Sequence, residues 1–338
     1  MQPLIPLINE PIQAVPFRDD FDREFSYLRL SITDVCNYRC NYCLPDGYQC
    51  TDKTQPLTVD EIRVLAKTFA QRGIKKIRIT GGEPVIRKDL TEIIQVLKST
   101  PGIEKVVLTT NGYKLQQHVQ DWFDAGLDGF NLSIDSLDPQ VFHTITGHNR
   151  LKEILAGLDK ALAIGFKNIK VNAVLLKEYN LKEFNQFLNW IKTTPISLRF
   201  IELMETGDNK DYFRSNHVSG EDIKQRLLKD GWVLKVKDKL AGPAQEFVHP
   251  EFSGSIGLIM PYSKDFCKTC NRLRISSSGK LHTCLFGDQG YELRDLLQPG
   301  SEDQLIEFVD QQLTGKVAGH HLQQGYSGST RHLAMLGG

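Results

Sequence analysis

The chain has 338 residues, 40 % of them hydrophobic, with 41 basic against 41 acidic side chains. That length allows one large domain or two modest ones, and the zero net charge offers no global field to attract nucleic acid or an anionic membrane. No apolar run approaches the roughly 18 residues of a membrane span, so an anionic ligand has to be met by a local cluster of Arg and Lys.

Residues 1–24 read as an extended N-terminal arm. Its opening, "MQPLIPLINEPIQAVPF", has no basic start and no long apolar core, and it carries Pro3, Pro6 and Pro11. It fits neither a signal peptide nor an anchor, and the cytoplasm is the expected compartment. From residue 25 to 204, short β-branched runs alternate with amphipathic stretches. The strand-like runs are "YLRLSI", "KKIRIT", "KVVLTT", "GFNLSI", "IKVNAVLL" and "SLRFIEL".

The first helix has clear ends. In "LTVDEIRVLAKTFAQRG", Thr58 and Glu61 make a capping box, and Ile62, Leu65, Ala66 and Phe69 share one face. Gly73 supplies a left-handed stop. Further helices are expected at 89–99, 115–124, 151–164 and 181–192.

Strands alternating with helices imply a parallel sheet with crossover helices. Six strands are too few for a closed eight-stranded barrel. A partial, open TIM-like (β/α)6 barrel is expected, with an open doubly wound sheet as the alternative. In either, sites form at the C-terminal ends of the strands. Residues 205–338 form a smaller α+β region. In it "METGDNKDYFRSNH" reads as a loop, helices are expected at 220–229 and 302–313, and strands near 232–237 and 255–260.

The seven cysteines are Cys36, Cys40, Cys43, Cys50, Cys267, Cys270 and Cys284. An odd, clustered set in a reducing compartment favours metal ligation over disulfides. Cys36, Cys40 and Cys43 follow the first strand with the spacing C-x3-C-x2-C. A structural zinc ion wants four closed ligands, and Cys50 is the one nearby fourth. A 4Fe-4S cube normally takes four cysteines as well; held by three, it leaves one iron open to a substrate or cosubstrate. Cys267, Cys270 and Cys284 repeat the problem with the spacing C-x2-C-x13-C. There a zinc knuckle completed by His282 or Cys50 and a second three-thiolate cluster both fit. "NRLR" puts Arg272 and Arg274 beside that metal, which suits an anionic ligand held by charge-assisted bonds.

The C-x3-C-x2-C motif with Tyr42 before its last cysteine, followed by "TGGEP" at residues 80–84 after the next strand, resembles the radical S-adenosylmethionine (SAM) superfamily. Gly81 and Gly82 permit close backbone approach, which the resemblance assigns to the methionine amino group, and Glu83 and Pro84 fix the turn. Adding "IRITGGEPVIRKDL", "LTTNGY", "AGLDGFNLSIDSLD", "RFIELM", "FCKTCNRLRISSSGKLHTCLF" and the terminal "GG", the chain from about residue 18 onward resembles the GTP 3′,8-cyclase family, which opens molybdenum cofactor biosynthesis. Asp22 stands where that family often has Gly, and "METGD" lacks an expected Pro; neither is a ligand position.

The resemblance implies two 4Fe-4S clusters, one on Cys36, Cys40 and Cys43 that chelates SAM, and one on Cys267, Cys270 and Cys284 that contacts the guanine of GTP. It implies SAM contacts at Tyr42, Gly82, Ser133 and Met204, and GTP contacts at Arg29, Arg78, Thr109, Lys170, Arg272 and Arg274. A lone charged residue in a strand usually faces solvent, but cations in separate strands fit a polyanion between them, because a buried cation needs a partner. The implied reaction uses a 5′-deoxyadenosyl radical to take the 3′ hydrogen of GTP and join C3′ to C8. Gly337 and Gly338 would enter the active site.

Expected partners are GTP, a flavodoxin- or ferredoxin-like electron donor, and the next pathway enzyme, cyclic pyranopterin monophosphate synthase, with a homodimer allowed. The competing readings are a peptide-modifying radical SAM maturase and a zinc-binding module without chemistry. No role is assigned to Cys50.

Overall fold

The computed structural model describes residues 15–49, 55–236, 240–330 and 333–336. It is an α/β structure around one twelve-stranded, mostly parallel sheet. A short hairpin precedes the sheet: β1 (Phe17–Arg18) pairs antiparallel with β2 (Glu24–Phe25), with Phe17 and Phe25 fully buried. The arm expected over residues 1–24 therefore ends in packed structure. Two buried phenylalanines, invisible to an argument from proline content, hold it there.

The alternation then runs as the periodicity predicts. β3 (Tyr27–Ser31), α1 (Val59–Gln71), β4 (Lys76–Thr80), α2 (Leu90–Ser99) and β5 (Lys105–Thr110) lead into α3 (Leu115–Asp124) and β6 (Gly129–Ser133). α4 (Pro139–Thr146), α5 (Leu151–Ile164), β7 (Ile169–Leu175), α6 (Phe184–Thr193) and β8 (Ser197–Glu202) follow. The Thr58–Glu61 capping box forms in both directions, and Gly73 takes φ +81° just past α1. Helix α4 was not anticipated, although Asp138 caps it by accepting from Gln140 N and Val141 N.

The segment 204–217, expected as a loop, contains α7 (Lys210–Asn216). Its seven residues carry too short an apolar pattern to announce a helix, and Asn209 secures the preceding turn by accepting from Thr206 N and donating to Met204 O. After it come α8 (Gly220–Lys229), β9 (Val233–Leu234), β10 (Gln245–Val248) and β11 (Ser255–Ile259). β12 (Arg272–Ile275), β13 (Lys280–His282), β14 (Tyr291–Glu292) and α9 (Glu302–Thr314) complete the elements used below.

The sheet order is β14-β13-β12-β3-β4-β5-β6-β7-β8-β11-β10-β9. Six parallel strands come from the alternating region, and the C-terminal region adds one at each side: β12 joins β3, and β11 joins β8. Antiparallel strands then close the flanks. Purely local periodicity cannot predict that a strand from residues 272–275 pairs with the first sheet strand. α9 packs on α1 and β1, so a helix of the C-terminal region covers the N-terminal hairpin. Among the described residues no helix is long and apolar enough to cross a membrane.

Candidate active site

The cysteine loop after β3 is locked to the TGGEP turn after β4 by main chain. Gly82 N donates to Thr33 O at 2.8 Å, and Glu83 N to Val35 O at 2.8 Å. A Cβ at Gly81, where φ is +141°, would lie 2.2 Å from Thr33 O, and one at Gly82 would lie 2.3 Å from Val35 O. The glycines are thus required for contact with the cysteine loop itself, a reason that ligand approach alone did not supply.

Glu83 is fully buried and accepts from Val85 N, from Thr110 Oγ1 at 2.8 Å and from Asn111 N at 2.6 Å. Burial pushes its carboxyl up to about 7 despite those donors. It ties the ends of β4 and β5 together. Tyr42 donates to Asp135 Oδ2 at 2.9 Å, just past β6, and Asp135 Oδ1 accepts from Val174 N. Ser133 is the last residue of β6 and lies in register with Asn172.

The second cysteine group is tethered from far away. Cys270 N donates to Cys267 O at 3.1 Å. Arg23 is buried against Asp19 and donates to the carbonyls of Cys267, Val317 and Ala318. Met204 links the two groups: it sits in one small apolar cluster with both Cys43 and Cys284.

Cations fill the space between. Arg274, Arg29 and Arg78 are direct register partners across β12, β3 and β4, forming three adjacent guanidiniums in one row. Arg272, Tyr27 and Lys76 form the next row. Thr109, Asn131 and Lys170 form another across β5, β6 and β7. Arg78 donates Nε to Tyr27 Oη and Nη1 to Thr109 Oγ1 at 3.1 Å. Arg29, Arg78, Thr109, Lys170, Met204, Arg272 and Arg274 line one cavity of about 550 Å³, with all three cysteines of the second group. Tyr42, Gly82 and Ser133 do not line it.

Crowding like charges out of water is costly, and the titration of the wall shows it. Burial, then Arg199 and Arg78, push Lys170 down to about 7. Burial first, with Arg78 and Arg199 adding to it against Tyr27, brings Lys76 down to about 8. Arg29 is held well below its ordinary value by burial and then Arg274. Tyr27 is drawn down to about 7, because Arg78, Lys76 and Arg29 outweigh the burial that opposes ionisation. Such a wall suits an anionic ligand, because buried cations need a partner.

Tyr27, Lys76 and Arg199 line the same cavity and were missed from sequence. The signal was present for two of them: Tyr27 stands two before Arg29 and Lys76 two before Arg78, hence on the same face of a strand. Arg199 lies in "SLRFIEL", where no neighbour marked it.

As for metal, each group brings three thiols together, Cys36 and Cys43 acting on Cys40 and Cys270 and Cys284 acting on Cys267. A three-thiol donor set suits a 4Fe-4S cube, which takes each thiolate on a different iron. His282, the candidate fourth zinc ligand, packs its ring where a Cβ on Gly290 would lie, 2.5 Å from Nε2. Gly337, Gly338 and Cys50 lie outside the described residues.

Two family models cover most of the chain: the Radical SAM superfamily over residues 30–191 and Molybdenum Cofactor Synthesis C over residues 196–322. A GTP 3′,8-cyclase of Vibrio atlanticus is 55 % identical over 96 % of this chain and 98 % of its own. One of Aeromonas hydrophila is 56 % identical over 96 % of both chains. The chain belongs to the GTP 3′,8-cyclase family.

Membership makes it a radical SAM enzyme of molybdenum cofactor biosynthesis, with SAM and 4Fe-4S clusters as cofactors. The fold of this cyclase family member is shared more widely. The solved structure of Streptococcus suis SuiB bound to S-adenosylmethionine superposes with a TM-score of 0.54 at 15 % identity, covering 86 % of this chain and 65 % of that one. Native anSMEcpe with bound AdoMet and Cp18Cys peptide gives 0.52 at 12 % identity, covering 84 % and 83 %.

Proposed function

We propose that the chain closes GTP to (8S)-3′,8-cyclo-7,8-dihydroguanosine 5′-triphosphate. The observation that carries this reading is the row Arg274–Arg29–Arg78 together with Lys170 in one cavity that Cys267, Cys270 and Cys284 also line. Three guanidiniums and an ammonium match a triphosphate, to which each donates charge-assisted bonds.

In this reading residues 25–204 are the radical SAM core, an open partial barrel, and residues 205–338 the auxiliary region. Cavity residues drawn from both flanks of the sheet, Arg274 on β12 and Arg199 on β8, support the curvature that a partial barrel needs. Cys36, Cys40 and Cys43 would hold one cluster, with Tyr42, Gly82, Ser133 and Met204 around SAM. Cys267, Cys270 and Cys284 would hold the other beside the guanine. When bound, the first cluster would supply the electron that cleaves SAM and frees the radical that takes the 3′ hydrogen; once C3′ has joined C8, one further electron from the donor protein and one proton complete the dihydro product.

The chain's own work is placement. Arg29, Arg78, Lys170 and Arg274 fix the phosphates, and Thr109 and Tyr27 aim Arg78 from two sides. Arg272 and Arg274 lie beside the second cysteine group, so phosphate and base are held by one wall. Fixing both ends of the nucleotide makes ring closure intramolecular, and that supplies most of the rate. Met204 shares one apolar cluster with Cys43 and Cys284, filling that would limit water between the two groups. Residues 333–336 pack on β3, and Leu336 O accepts from Arg274 Nη1 at 3.2 Å. This contact supports a role for Gly337 and Gly338 at the cavity. The electron donor is flavodoxin- or ferredoxin-like, the product passes to cyclic pyranopterin monophosphate synthase, and the setting is cytoplasmic, with a homodimer allowed.

Anaerobic incubation of the reconstituted protein with SAM, GTP and a strong reductant tests this. Equal 5′-deoxyadenosine and cyclised nucleotide are expected. SAM cleavage with no GTP-derived product would overturn it.

A further inference from the structure

One row of the cavity wall carries charge of the wrong sign for a phosphate pocket. Arg199 on β8, Gly257 on β11 and Glu246 on β10 are consecutive register partners. Neighbouring strands lie about 4.8 Å apart, so Arg199 and Glu246 stand two strands from each other and meet only if nothing fills the place between. Glycine leaves it empty. A Cβ at Gly257 would lie 2.9 Å from Arg199 Cγ and 3.5 Å from its Nε, so the arginine stem runs flat across the glycine. Its Nη2 then donates to Glu246 Oε1.

The pair is asymmetric. The Arg199 side chain keeps 7 % of its surface and that of Glu246 26 %, so the carboxylate is the partner with room to swing away. Arg199 Nε is buried with no hydrogen-bond partner among the described residues. The guanidinium is therefore only partly used. Asp128 is the other acidic residue described in the lining, and Lys98 Nζ already engages both its oxygens at 2.7 and 2.8 Å. Glu246 instead faces the cavity cations: Arg199 first, then Lys170 and Lys235, hold its carboxyl below the ordinary range against the opposing effect of burial.

We propose that Glu246 is a resident counter-anion of the cavity, which neutralises Arg199 until substrate phosphate replaces it there, and which thereby sets how tightly phosphorylated ligands are held. The inference rests on the reading that the cavity takes the triphosphate of GTP. Cyclisation leaves that triphosphate intact, so substrate and product present the same charges to the wall. A cation wall with no counter-anion would hold both tightly and release product slowly. A carboxylate that must be moved or repelled on binding lowers the affinity for both, because juxtaposed like charges are costly. A glutamate that served only to brace Arg199 would act in the opposite direction, and its removal would weaken binding.

The test uses the full chain with its clusters reconstituted anaerobically, in wild-type form and as Glu246→Gln and Glu246→Ala. Binding of inorganic tripolyphosphate, GTP and the uncharged control guanosine is measured by calorimetry. Glu246→Gln keeps the shape and an acceptor but loses the charge. It is expected to bind tripolyphosphate and GTP about tenfold more tightly, with a steeper loss on adding salt and guanosine unchanged. Unchanged or weaker tripolyphosphate binding in both variants overturns the inference, and weaker binding makes Glu246 a brace. A wild-type protein that binds neither tripolyphosphate nor GTP removes the phosphate reading of the cavity, and this inference with it.

Discussion

The two cysteine groups are built in opposite ways. Cys36, Cys40 and Cys43 come from one stretch of eight residues that folds on itself, with Cys43 N and Leu44 N donating to Cys40 O. Its main support is main chain from the adjacent TGGEP turn. Cys267, Cys270 and Cys284 span eighteen residues and are held by Arg23, which lies more than 240 residues earlier. The electrostatics differ too. Burial, with a further push from Glu83, raises Cys36 to about 11. Cys270 is brought down to about 7, where Arg272 and Lys316 outweigh the burial that opposes them. A local loop needs shielding from solvent, whereas a distributed one needs a tether; the pull of Arg272 and Lys316 is felt at Cys270, while burial still raises Cys267 in the same group.

The sharpest way to break the comparison is Cys40→Ala. Under the proposed assignment the three thiolates of the first group hold one cube, so 5′-deoxyadenosine formation is expected to vanish while the second group keeps its iron. Iron content should fall to roughly half. Retained SAM cleavage would show that the first group is not the radical source.

Arg23→Ala addresses the tether. Removing one partner of a buried ion pair costs about 3–5 kcal/mol, and here three carbonyls also lose their donor. The second cluster is expected to be lost before the first. Iron analysis and SAM cleavage without GTP would separate the two, and equal loss of both clusters would mean the sites are not independently built.

Arg78→Ala acts between the groups. Losing one charge-assisted bond costs about 1.5–3 kcal/mol, so GTP affinity should drop roughly tenfold to a hundredfold with SAM binding unchanged. Equal affinity in a direct titration would place this side chain outside the substrate's reach.

A pH titration of GTP binding sharpens the same point. Lys170 at about 7 and Lys76 at about 8 are protonated in acid, and a bound polyanion raises both values. Affinity should be flat below about pH 7 and fall above it, as free protein loses protons that binding must restore. The Tyr27 phenol, also at about 7, adds to the fall because its anion repels phosphate. Lys170→Gln should lower affinity and make the slope shallower; an unchanged slope would exclude Lys170 as a contributor.

The smallest expected effect is in Thr58→Ala. The capping box of α1 touches neither cysteine group, and losing it costs about 1 kcal/mol. Thermal unfolding should register that cost with both clusters fully loaded. A selective loss of either cluster would mean α1 positions it.

Much of the molecule was legible from local pattern. The six strands from "YLRLSI" to "SLRFIEL" and the helix ends at Thr58 and Gly73 follow from side-chain period and backbone chemistry, which act over a few residues. Both cysteine motifs were legible from their spacing, whereas the strand cations Arg29, Arg78 and Lys170 were singled out by the family resemblance, because a lone charge in a strand usually faces solvent. The hairpin holding Phe17, the helix at Lys210–Asn216 and the counter-anion Glu246 were not.

What the sequence by itself determined is which residue types exist at which spacing: three thiols in a loop, a Gly-Gly turn, a cation on alternate strand positions. Only the tertiary structure decided that β12 would pair with β3 and β11 with β8. That pairing sets Arg274 beside Arg29 and carries Arg199 across Gly257 to Glu246. The physical reason is that register between strands far apart in the chain, 245 residues for Arg272 with Tyr27 and 58 for Ser255 with Ser197, is chosen by burial of the whole sheet face. Charge adjacency then follows from a packing free energy that no short window contains.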